Sequence, residues 1–142
     1  MIRNLTKNSI LCSNPVFARG FSMRTRGMIG RQFRDFDGMV FENCPAIHTC
    51  FMSMPIDAVF MDRENKVLMV KQTLRPWKLY VRCKGASVVI ELPCGSIEQS
   101  FTESGDYLDL AAELTAEYSS RLTNRVFVGD KMETIASFGE EK

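Results

Sequence analysis

Short apolar runs, each stopped by Pro, Gly or a polar turn, recur along this chain and point to strands. Ile10 to Cys12 is a first short run. Asp37-Gly38 reads as a turn, with a strand in Met39-Val40-Phe41 after it. Cys44-Pro45 breaks that strand. From Ile47 to Asp62 the pattern is strand-like again but interrupted at Pro55, which fits one bent strand or two short ones, because Pro cannot donate to a ladder. Arg63-Glu64-Asn65-Lys66 is a polar turn before Val67-Leu68-Met69-Val70, so residues 56–71 read as a hairpin. Ser87 to Leu92 is a further strand, ended by Pro93 and Gly95, and Arg125 to Val128 is a candidate last one.

Two stretches have helical spacing. Asn14-Pro15 reads as a helix start, since Asn accepts from free N–H groups and Pro at the first helical position has no N–H to leave unpaired. A helix from there to about Met28 sets Phe17, Phe21, Arg24 and Met28 along one stripe, with Gly27 and Gly30 as terminators. Leu108, Ala111, Thr115, Tyr118 and Leu122 predict a second helix near the end. The expected architecture is α+β: a β-rich compact single domain over residues 1–142, of short, mostly antiparallel strands. It is barrel- or sandwich-like, with an N-terminal and a C-terminal helix.

Composition narrows the functional classes. With 142 residues, 45% of them hydrophobic, and a net charge of +1, the chain can build one core and is not of the disordered class. No stretch approaches the ~18 apolar residues of a membrane-crossing helix, and no membrane partner is expected. Residues 1–20 develop no apolar secretory core. The five cysteines (Cys12, Cys44, Cys50, Cys83, Cys94) are odd in number and contain no Cys-x-x-Cys pair, so reduced thiols in a cytoplasm are expected.

Charge is uneven. Residues 1–34 carry seven Lys or Arg and no acid, whereas residues 98–142 carry ten acids and four bases. The basic end lacks the interleaved aromatics that stack bases, so nucleic-acid binding is not expected, and mutual neutralisation or solvated faces explain the asymmetry.

Five ordered blocks carry a family resemblance. They are Gly27-Met28-Ile29-Gly30-Arg31, Gly38-Met39-Val40-Phe41, His48 through Phe60, Val89 through Gly95, and Gly105-Asp106. In order and spacing they resemble the bacterial and archaeal "domain of unknown function 192" family over roughly residues 10–110, leaving 111–142 as a C-terminal extension. The resemblance implies a compact strand-rich domain with no established activity, so it hands over no catalytic residues. A bacterial source is expected. The chain departs from the family pattern at Cys94, where a small Ala is usual, and at Cys50, where an aromatic is.

Candidate site residues come from the strands. Alternation puts His48, Cys50, Met52 and Met54 on one face, with Cys44 just before Pro45. Imidazole, thiolate and thioether suit Cu(I) or Zn(II). Sulfur side chains filling a core explain the same pattern, and neither metal nor cofactor is expected. Asp57 and Glu91 each interrupt an apolar run, as Pro-Ile-Asp-Ala-Val-Phe and Val-Val-Ile-Glu-Leu-Pro. The faces they share with Val59, Met61 and Val89 are apolar, which predicts partly buried carboxylates paired with Arg24, Arg26 or Arg31. The alternative is a pocket in which these groups, with His48 and Met52, meet a small ligand. Pro55, Gly95, Gly105 and Asp106 read as structural turns. Trp77 after Pro76 is either an exposed recognition residue or an anchor for its connector. The expected function is a binding or accessory domain with a protein partner or small ligand. The alternatives are a small hydrolase using Asp57, Glu91 and His48, or a weak nucleic-acid binder.

Overall fold

A computed structural model of the chain describes residues 1–110, 125–128 and 131–134. The chain divides into two compact units, Met1–Leu110 and Ala111–Lys142. The first begins with Ile2–Asn4 (β1), Ser9–Cys12 (β2) and Pro15–Phe17 (β3), followed by the helix Gly20–Arg26 (α1). Gly38–Glu42 (β4), Ala46–Ile47 (β5), Ile56–Met61 (β6) and Val67–Leu74 (β7) come next. Val81–Arg82 (β8), Val88–Pro93 (β9), the short helix Ser96–Ser100 (α2) and Leu108–Asp109 (β10) complete it. In the second unit, Arg125–Val128 (β11) pairs antiparallel with Lys131–Thr134 (β12).

The central sheet has the order β3-β4-β9-β6-β7 and is antiparallel except where β3 runs parallel to β4. It is buried on both faces: all six positions of β6 are inside. Strand alternation divides its side chains between two cores. Val40, Val59, Met61, Ile90 and Leu92 join Ile2, Leu11, Ile97 and Leu108 from the β10-β1-β2 sheet and α2. Met39, Phe41, Ile56, Ala58, Phe60 and Val89 join Met28, Ile47 and Met52 on the opposite face. Among the described residues no closed barrel forms, because β3 and β7 remain the edges of the central sheet.

Both expected helices need correction. Residues 15–17 are strand, and helix begins only at Gly20. The Asn14 side chain, which would have capped a helix, donates to the Asp35 carbonyl at 2.6 Å, and its backbone N–H donates to Asp37 Oδ1 at 2.6 Å. Pro15 instead opens an edge strand, where its missing N–H costs no ladder bond. Gly27 does end α1, with φ 49° and its N–H on the Met23 carbonyl. At the other end, Leu108–Asp109 pairs with β1 as a strand. Ala111, Thr115, Tyr118 and Leu122 lie outside the described residues.

Candidate functional site

Glu91 stands on β9 opposite Met39 of β4 and Ala58 of β6, so its side chain leaves the sheet toward the α1 side. It is 4% exposed, and its Oε2 has no hydrogen-bond partner. Burial pushes its carboxyl up to about 8, so it stays protonated at neutral pH. A buried polar atom left unpaired is costly and uncommon. This one lines a cavity of about 80 Å³. At the ~10–15 Å³ a water needs, that is room for a handful of waters or a ligand of a few non-hydrogen atoms.

Buried Met28, Phe41, Ile47 and Met52 wall the cavity, while exposed Arg24, Arg26 and His48 stand at its rim. Arg24 donates to the carbonyls of Glu42 (2.6 Å) and Asn43 (3.4 Å), and Arg26 Nε donates to that of Ile29 (3.2 Å). Among the described residues, both are oriented by backbone carbonyls. Cys44 also lines the cavity; burial pushes its thiol up, and Sγ donates to the Ala46 carbonyl at 3.0 Å. Among the described residues no three His, Cys, Asp or Glu side chains gather as a metal site.

Asp57 is elsewhere. It pairs with Leu92, one residue beyond Glu91, and therefore faces the other core. The carboxylate is 1% exposed and fully occupied by backbone. Oδ1 accepts from Thr73 N–H at 2.9 Å, and Oδ2 accepts from Gly95 N–H at 3.0 Å and Ile97 N–H at 3.1 Å. An irregularity in the β6–β7 register and the left-handed Thr73 (φ 48°) turn the first donor inward; Gly95 at φ 92° turns the second. Among the described residues no arginine pairs with it; three backbone N–H groups satisfy the carboxyl oxygens instead. Asp57, Glu91 and His48 do not share a cleft.

The remaining candidates disperse. Arg31 lines a separate surface hollow with Gly30, Gln32, Arg34 and Ser53. Pro55 is exposed just before β6. Gly105 (φ 98°) donates its N–H to Val67, and Asp106 is buried, accepting from Asn4 Nδ2 at 2.8 Å and Glu103 N–H at 3.0 Å. Lys7 pairs with Glu103, so part of the basic end is neutralised by the acidic one.

Thr49, which no sequence signal marked, holds the cleft's outer loop. It is fully buried; Oγ1 donates to the Arg75 carbonyl at 2.8 Å and accepts from Lys78 N–H at 2.9 Å. Its own carbonyl accepts from Met52 and Trp77. That turn sets His48 at the rim and Met52 in the wall, and leaves Trp77 63% exposed with its ring edge-on to Phe51 at 4.9 Å. Phe41 and Ile47 were also missed as lining residues. The signal for Phe41 was its shared face with Met39, usable only once β4 is known to pair with β9.

The comparisons with known proteins agree with this fold. A UPF0127 protein of Thermococcus sibiricus is 32% identical over 119 residues, covering 80% of this chain and 76% of that one. A UPF0127 protein of Pyrococcus furiosus is 31% identical over 110 residues, 75% of this chain and 94% of its own. Both are archaeal, and a bacterial source for this chain does not follow from them. A crystal structure of a protein of unknown function from Novosphingobium aromaticivorans superposes with TM-score 0.59 at 20% identity, over 67% of this chain and 73% of that one. The family pattern described as "Uncharacterized ACR" matches residues 5–110, and the chain belongs to that family, the domain of unknown function 192.

Proposed function

We propose that the chain is a binding domain that holds a small ligand in the cleft over Glu91, with no catalysis of its own. One observation carries this: a carboxyl oxygen is buried, unpaired and in the wall of a cavity. A fold-stabilising role would have supplied that oxygen with a partner, as it did for Asp57. A ligand donor can complete what the protein leaves open. The hydrolase alternative is weakened because Asp57 lies on the opposite face and its oxygens are all engaged. A cytoplasmic setting is supported by the five free thiols.

Thermal-shift screening of the chain against small metabolites tests the reading. A ligand that raises Tm in the native protein, through preferential binding to the folded state, should lose its effect in Glu91→Gln and in Met52→Trp, which fills the cleft. Ligands indifferent to both substitutions would refute the assignment.

A further inference from the structure

The cleft also restricts the ligand's chemistry. Resting on the binding reading above, we infer that it takes a small zwitterion, with an ammonium group on Glu91 and an anionic group on Arg24 and Arg26. At the floor, Glu91 Oε2 is unpaired, in a cavity that apolar Met28, Phe41 and Met52 also line. Among the described residues no cation bonds to that oxygen, so an ionised carboxylate there calls for a cation from the ligand. The aromatic face of Phe41 is compatible with an ammonium.

The rim selects the other end. Each guanidinium has five N–H donors. Among the described residues, three backbone carbonyls take one donor each from Arg24 or Arg26 and orient the guanidinium planes. Two arginines repel a simple cation but grip a carboxylate or phosphate well. A space of about 80 Å³ limits the spacer to a few carbons.

Binding must move a proton. The buried Glu91 carboxyl is protonated at neutral pH; seating the ammonium ionises it and releases one proton to solvent. Among the described residues, the other charged or titratable groups lining its cavity are Arg24, Arg26, Cys44 and His48. Burial pushes the Cys44 thiol up, and a His48→Gln control isolates Glu91.

Calorimetric titration of the full chain with glycine, β-alanine and γ-aminobutyrate, against methylamine and acetate alone, tests the inference. At least one zwitterion should bind tenfold or more tightly than methylamine, with acetate weaker still. Affinity should rise by about tenfold per pH unit from pH 6 to near 8, with about one proton released, and His48→Gln should keep that slope. Glu91→Gln should abolish it. Arg24→Gln and Arg26→Gln, checked for native circular dichroism, should reduce zwitterion affinity to the methylamine level. Methylamine binding as tightly as any zwitterion would overturn the role of the rim. Acetate or an uncharged compound binding best, through Glu91 but with no proton release, would overturn the ligand class and leave the cleft assignment standing. No small molecule responding to Glu91→Gln would overturn both.

Discussion

At the residue scale, the two carboxylates that break apolar strands differ in what they meet. Asp57 accepts three backbone N–H bonds, so its charge is satisfied without a cation. Asp57→Ala orphans those donors in the interior, and the expected loss is about 3–5 kcal/mol in a urea melt. A loss under about 1 kcal/mol would show that water replaces the carboxylate freely. Glu91 works in the opposite direction. Its unfolded carboxyl ionises near the ordinary 4.5, while the folded one, held up by burial, waits until about 8. Between those values the folded state holds the extra proton, so the Glu91 contribution to stability is full below pH 4.5 and falls as pH rises through the window. The decline is on the order of 4–5 kcal/mol and then levels off. Glu91→Gln cannot ionise; it is expected to flatten this decline and to exceed the native protein in stability at pH 8. Chemical denaturation at pH 5 and pH 8 reads both effects, and an unchanged slope in the variant would place the titration on another group. An unpaired buried polar group tolerated at a cost to stability is a frequent mark of a binding site.

At the element scale, the loop from His48 to Met52 depends on one hydroxyl. Thr49→Val keeps the shape but removes the acceptor for Lys78 N–H and the donor to the Arg75 carbonyl. The expected cost is about 1–3 kcal/mol. Trp77 is the only tryptophan in the chain and packs on Phe51, so its fluorescence anisotropy should fall when the loop loosens. Unchanged anisotropy with unchanged stability would show that the backbone bonds to Met52 and Trp77 suffice. The strands of the 56–71 hairpin and of 87–92 were legible in the sequence because each run is short, apolar and bounded by turn residues. The 15–17 segment was not, because its Asn-Pro start satisfies helix rules equally well. What decides it is parallel pairing with β4 and the Asn14 bonds to Asp35 and Asp37, more than twenty residues away. For the site, alternation showed that Glu91 faces apolar company. It could not show which strand brings an N–H to Asp57, since that rests on the β7 irregularity and the left-handed Thr73 and Gly95.

At the scale of the whole molecule, the central sheet with a core on each face explains why composition and pattern revealed a domain but not its site. β6 is buried at all six positions, so nothing in its sequence distinguishes the face of Asp57 from the face toward Glu91. Among the described residues, both cores are built from positions between Ile2 and Leu110. Among the described residues, those lining the cavity fall between Arg24 and Glu91. Met1–Leu110 is a compact unit of its own, and a domain of roughly this size buries enough apolar surface to fold by itself. A chain ending at Leu110 is expected to unfold in urea as one cooperative transition, with coincident fluorescence and circular dichroism curves. It should also keep the decline in stability between pH 5 and pH 8, because burial of Glu91 is set by β4, β6 and β9. Broad, non-coincident curves would mean that residues 111–142 supply packing the two cores require. A sharp transition without the pH decline would mean that the seclusion of Glu91 depends on them instead.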